Sequence, residues 1–274
     1  MAASNVREQS APDLVDETLL GGEDDEEAGA TMSLVDHLEE LRRRLIFCVI
    51  AVVVLTILSF VFWQQIFGFL LTPLPAAVNR IDPLNLHHAG SQTRLVVTDI
   101  GGPFLIALKV SLAMGIALAS PVVLYELWGF LSPALTRKER RYALPFTGLG
   151  VGLFIAGLVV GFVVLRYPVD WLVSFGSSRF DLLLTADSYF TFIAYFLLAF
   201  GIVFELPLVI TFLGVVGIVN SKMLIEKQMY ILFGLWFAAC FITPGADPYS
   251  PVIIGAAFTI LFYLSVLLLR VLRK

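Results

Sequence analysis

From residue 45 onward the chain alternates long apolar runs with short polar segments. The runs cover 45–63, 104–131, 144–166, 189–216, 229–243 and 252–270. A helix rises 1.5 Å per residue, so about 20 apolar residues cross the hydrocarbon of a bilayer. None of the runs shows the alternating pattern, about ten residues long, of a membrane β-barrel. The pattern predicts an all-α integral membrane protein with six transmembrane helices. The fifth run has only 15 residues. It spans about 22 Å as a helix, which predicts local thinning of the bilayer around it and the sixth run.

The first span is preceded by a different period. Leu34, Leu38, Leu41 and Leu45 recur at spacings of four, three and four, one apolar face of a helix. Ser33 and Asp36 stand where a hydroxyl cap and a first-turn acid belong. Glu39 with Arg43 and Glu40 with Arg44 are favourable (i, i+4) pairs. A short amphipathic helix on the membrane surface is expected here, leading into the first span. The segments opposite the basic loops are unequal: 64–103 with an amphipathic piece at Gln64–Leu71, 167–188, and a Pro-rich turn from Thr243 to Pro251. There is no internal repeat of the kind that builds inverted-repeat transporters.

Composition agrees with the pattern. Hydrophobic residues make up 58% and charged residues 15% of 274, and the mean hydropathy is +0.89. Soluble domains are about 25% charged, so a water-soluble globule, a disordered chain and a nucleic-acid-binding module are excluded. The net charge of −4 is set by residues 1–31, whose nine acids and one base give −8. Residues 32–274 carry 17 bases and 13 acids, a net of +4. This predicts a disordered acidic cytoplasmic tail at 1–31, a six-helix core at 32–270 and a short basic tail at 271–274. Twelve Lys and Arg residues fall on one side of the spans: Arg42–Arg44, the 137–141 cluster, Lys222, Lys227 and the C-terminal bases. Five fall on the other: Arg80, Arg94, Lys109, Arg166 and Arg179. Basic loops stay in the cytoplasm, so both termini are expected there.

Catalytic chemistry is missing from the sequence. None of the five lysines follows a glycine, so there is no phosphate-cradling Gly-Lys-Ser/Thr loop. No nucleophile stands with a base, and His87-His88 reads as an ordinary loop pair rather than half a metal site. Cys48 and Cys240 have no metal spacing and fall near opposite faces, so no disulfide is expected. The chain is read as no enzyme, with no catalytic residue, metal or cofactor. Glu205 is the sharpest polar signal. It lies inside the fourth run, in Phe200-Gly-Ile-Val-Phe-Glu-Leu-Pro207. A carboxyl at that depth costs about 2.5–3.5 kcal/mol on insertion scales and marks a functional position unless a neighbouring helix satisfies it. Lys109 and Glu126 flank the second span and can reach its interfaces. Arg137-Lys-Glu-Arg-Arg141 alone reads as a lipid-attracted cluster with Glu139 as a local charge balancer. In the third run, Gly148/Gly152 and Gly157/Gly161 form two small-xxx-small pairs, expected to pack within the chain.

Five stretches together resemble the TatC family, the polytopic core of the twin-arginine protein translocase. They are His37-Leu-Glu-Glu-Leu-Arg-Arg-Arg-Leu45, Ser120-Pro-Val-Val-Leu-Tyr-Glu-Leu-Trp-Gly-Phe-Leu-Ser-Pro-Ala-Leu135, Arg137–Arg141, Phe200–Pro207, and Thr243-Pro244 with Asp247. The resemblance covers about residues 33–270. It implies a curved, glove-like scaffold in a bacterial or archaeal plasma membrane, with an organelle membrane as the other option. It also implies recognition of twin-arginine signal peptides of folded cargo at the cytoplasmic face. Single-span TatA-type and TatB-type partners, self-association in the assembled complex and drive by the proton-motive force follow in the same way.

The resemblance further implies roles for individual residues. Glu40 and Glu139 would face the arginine pair, and Arg42, Phe130, Pro133 and Arg140 would shape that site. Glu205 would be the intramembrane polar group near the route of the signal or a partner helix. Thr243 and Asp247 would meet partners at the outer turn. Arginine suits bidentate carboxylate pairing where lysine does not, which gives Glu139 a role its cluster alone does not suggest. The competing reading is a proton-coupled small-solute transporter with Glu205 as its protonatable site.

Overall fold

The computed structural model describes residues 34–73, 95–131, 143–175, 184–243 and 247–271. The acidic tail, His87-His88, Pro133, Glu139, Arg140 and residues 272–274 lie outside the described residues. Those described are helical apart from turns and one isolated parallel bridge, Val96 with Thr185. The helices are α1 (Leu34–Val61), α2 (Trp63–Leu70), α3 (Gly102–Leu131), α4 (Ala143–Val164), α5 (Arg166–Ser174), α6 (Ala186–Val203), α7 (Leu206–Val215), α8 (Ser221–Glu226), α9 (Gln228–Ile242) and α10 (Tyr249–Val271).

The described residues up to Arg42 belong to one unit and those from Arg43 onward to another. In the first, Leu38 and Leu41 are exposed and Glu40 is half-buried. Among the described residues, five helical stretches are long and apolar enough to cross a membrane. The sixth expected span, α9, is a shorter apolar helix of 15 residues. The described residues therefore support five full spans and one short helix.

Helix α6 is the hub. Ile193, Phe196 and Phe200 on it are almost wholly buried, and α3 and α4 pack along it while α10 packs on α7 and α9. Glycine allows the closest of these approaches. A Cβ added at Gly157 would lie 2.6 Å from the carbonyl oxygen of Phe200 and 2.9 Å from Cβ of Phe204. At Gly161 it would lie 2.8 Å from Cβ of Phe200. That pair packs within the chain as expected. The other does not: a Cβ added at Gly148 or Gly152 would meet nothing within 4 Å among the described residues, and one at Gly150 between them would meet Leu208 instead. Two residues' difference along a helix turns the small stripe by about 200°. Gly157→Ala should therefore destabilise the purified protein by about 1–3 kcal/mol through overpacking. Gly148→Ala and Gly152→Ala should not. Thermal unfolding in detergent separates them, and equal melting of all three variants would contradict the packing.

The expected fourth span is two helices. Pro207 has no N–H to offer the carbonyl of Val203. The chain turns through Phe204 and Glu205, where the Glu205 N–H donates to Ile202 at 3.0 Å, three residues back. The helix resumes as Leu208 and Val209 donate to the Glu205 carbonyl, both at 3.0 Å.

The expected loop 167–188 also begins as helix. Leu165 N–H donates to Gly161 and Val169 N–H to Leu165, so α4 runs on into α5. Pro168, Val169 and Val173 are buried, while Arg166, Tyr167 and Asp170 face outward. At this end several elements are clasped together. Ala186 N–H donates to Val96 at 2.9 Å. Lys109 pairs with Asp187 at 2.6 Å. Tyr189 Oη donates to the Leu70 carbonyl at 3.0 Å, fixing the end of α2 to α6.

Candidate functional site

At the end of α3 that carries Phe130, an ion pair joins α1 to α3. Nη1 of Arg44 donates to Oε2 of Glu126 at 2.8 Å, with side chains 20% and 18% exposed. Gly129, three residues beyond Glu126, leaves room for it: a Cβ there would collide with the Arg44 guanidinium. Phe130 next to it is half-buried. Trp128 is buried between the rings of Phe146 and Phe212, at centroid distances of 5.2 and 4.9 Å. The apolar packing of Trp128 thus fixes the turn of helix that presents Glu126 and Phe130.

Glu205 sits at the α6–α7 break. Both carboxylate oxygens are out of reach of solvent and have no hydrogen-bond partner among the described residues. Its surroundings are apolar: Gly150 lies against Oε2 of Glu205, the Leu208 side chain and the Leu124 side chain. The hydroxyl of Thr211, six residues further, is already given to the Pro207 carbonyl at 2.6 Å. The neighbouring-helix hydrogen bond that would make Glu205 purely structural is absent among the described residues.

The turn between α9 and α10 lies at the opposite face, where Trp171 of α5 meets Tyr249 at 5.4 Å. Thr243 donates its hydroxyl to the Ala239 carbonyl at 2.7 Å. Asp247 is 5% exposed, and its Oδ2 accepts from the Ser250 N–H at 2.6 Å. That is an N-cap for α10. One oxygen of Asp247 therefore holds the fold, whatever else the residue meets.

Phe130, Glu205, Thr243 and Asp247, the singled-out residues described in the second unit, do not share one pocket. Phe130 belongs to one face, Glu205 to the middle of a span, and Thr243 and Asp247 to the other face. Glu40 and Arg42 lie in the N-terminal unit, Arg42 exposed. Sequence reading missed the partner of Glu126, which lies 82 positions away in the chain. Glu126 inside the apolar pattern was the available signal that a cation must face it.

Comparison with known proteins bears on the arrangement as a whole. Residues 36–256 match the TatC family, described as Sec-independent protein translocase protein. The chain belongs to the TatC family. A TatC relative from Desulforapulum autotrophicum is 35% identical over 87% of this chain and 84% of its own length. One from Carboxydothermus hydrogenoformans is 30% identical over 88% of this chain and 94% of its own. The fold is similar to a crystal structure of the twin-arginine translocase receptor TatC, with a TM-score of 0.71 and 29% identity. That match covers 87% of this chain and all of the solved one. As a TatC-family member the chain is a core component of the Tat protein translocase in the plasma membrane, a transport role. Nothing favours the small-solute carrier, which needs several polar groups around a midplane site.

Proposed function

We propose that this chain is the signal-peptide receptor and scaffold of its translocase, holding the arginine pair of a signal through Glu40 and Glu139. The similarity over 87% of the chain to a solved twin-arginine translocase receptor carries the reading. Arginine has a planar, permanently charged fork that matches a carboxylate with two parallel hydrogen bonds. Two such pairs, at about 1.5–3 kcal/mol for each charged hydrogen bond, separate Arg-Arg from Lys-Lys signals. Arg42, Phe130, Pro133 and Arg140 shape the surroundings. Glu205 stands on the route of the signal's apolar stretch or of a partner helix.

Thr243 and Asp247 hold and border the surface that meets single-span TatA-type and TatB-type partners. Both termini are cytoplasmic, by the excess of Lys and Arg on that side. Copies of the chain associate in the active complex. The family resemblance implies drive by the proton-motive force, which fits a sequence without a nucleotide loop. Labelled Arg-Arg and Lys-Lys signal peptides, titrated against the full chain in nanodiscs, test the reading. Expected is saturable binding that weakens at least about tenfold with Lys-Lys, Glu40→Ala or Glu139→Ala. Equal binding of both peptides by every variant would mean membrane partitioning alone and would overturn it.

A further inference from the structure

Between α3, α4 and α6, beneath α2, lies a cavity of about 420 Å³. Every side chain that lines it is Ala, Val, Leu, Ile, Phe or Met. Val110 and Leu70 form buried wall, while Phe69, Val159 and Val163 are 53%, 58% and 59% exposed and form an open rim. Its depth follows from its neighbours. Lys109 and Asp187 pair just above Val110, and Tyr189 ties the end of α2 to α6 at the same level. The cavity therefore opens sideways into the hydrocarbon of the leaflet opposite the basic loops.

The size of the cavity selects the occupant. A helix is about 10 Å across, and ten residues of it are about 15 Å long, so it displaces on the order of 1,200 Å³. A transmembrane partner or a helical signal cannot be enclosed here and could only lie across the open rim. Water finds no polar group there, and an empty void would forfeit the dispersion contacts of its walls. A single hydrocarbon chain satisfies all three conditions.

Charge gives the second half of the ligand. Val159 and Val163 continue, at i+3 and i+4, into Arg166 and Tyr167, because the helix is unbroken through Leu165. Both residues are exposed, and Arg166 donates to Tyr167 Oη at 2.8 Å. Lys109 is engaged by Asp187, whereas Arg166 has no ion pair among the described residues and Asp170, one turn on, faces solvent. A Tyr–Arg couple at the end of an apolar stripe sits at headgroup level. We propose that the cavity is a lipid site: one acyl chain of a glycerophospholipid fills it, with the lipid phosphate held at Arg166.

The test uses the purified full chain, delipidated in detergent, with retained phospholipid counted by mass spectrometry. Phosphatidylglycerol and phosphatidylcholine nanodiscs then give the headgroup preference. The wild type should retain one phospholipid. Ala194→Phe, which fills the cavity, should lose it; Val160→Phe, exposed beside the rim but not lining the cavity, should keep it. Arg166→Gln should lower the preference for phosphatidylglycerol by about fivefold and leaves the packed interior untouched. A photo-crosslinking residue at Met114 should give an adduct of phospholipid mass. A wild type without retained lipid, Ala194→Phe and Arg166→Gln both indistinguishable from it, or a peptide adduct at Met114 would each overturn the proposal.

Discussion

Glu205→Leu should make the detergent-solubilised protein more stable and its export activity lower. The stabilisation has a simple cause. Both carboxylate oxygens are shut off from solvent and unpartnered among the described residues, in contact with an apolar seam at Gly150. A carboxyl in such a place costs about 2.5–3.5 kcal/mol, whereas leucine is favourable by a few tenths. The expected gain is about 3 kcal/mol, more than a hundredfold in the folding equilibrium. Glu205→Gln keeps the shape, removes the ionisable group and should gain less.

Thermal unfolding and export of a folded twin-arginine cargo are read side by side. If the carboxyl serves the route of a signal or partner helix, both variants lose export while neither loses stability. Destabilisation by both variants would mean that the carboxyl holds the fold. Full export by both would mean that it is merely tolerated.

The positions of the spans were legible because hydropathy is a property of each run by itself. The ends of the spans were less so. Arg166 closes an apolar run, yet α4 continues past it, because one helix face carries Pro168, Val169 and Val173 inward while the charges turn out. A window average cannot see that switch from an all-round apolar helix to an amphipathic one. Pro207 lacks the donor that would continue the helix, and the structure interrupts it over Phe204 and Glu205 with a three-residue hydrogen bond at Glu205.

The glycine stripe was half legible. Spacing shows that two small residues share a face, but not which face meets a neighbour. Asp247 was read as a partner contact, and its first partner is the backbone of its own helix. The resemblance supplied the family and the candidate residues. It did not supply Arg44 as the partner of Glu126, because that pairing depends on the packing of α1 against α3.

That pairing should respond strongly to substitution. Only 6% of the most apolar stretch of the span His37–Val61 within α1 is buried inside the protein, so few contacts hold it to α3. Thr56 against Gly115, the edge-to-face rings of Phe60 and Phe104 at 5.9 Å, and the Arg44–Glu126 pair are three of them. Removing one partner of a buried ion pair costs about 3–5 kcal/mol. Here each side chain keeps roughly a fifth of its exposure, so Glu126→Ala should cost about 2–3 kcal/mol. Glu126→Gln, which still accepts the hydrogen bond, should cost about 1 kcal/mol. Gly129→Ala pushes the guanidinium from its seat and should fall between them.

The decisive variant is the reversal, Arg44→Glu with Glu126→Arg. It keeps one charge of each sign, exchanged between the two positions, and should recover most of the stability lost by either single reversal. A double-mutant cycle on unfolding in detergent gives the coupling directly. A coupling near zero would mean that Arg44 and Glu126 meet without holding α1 to α3.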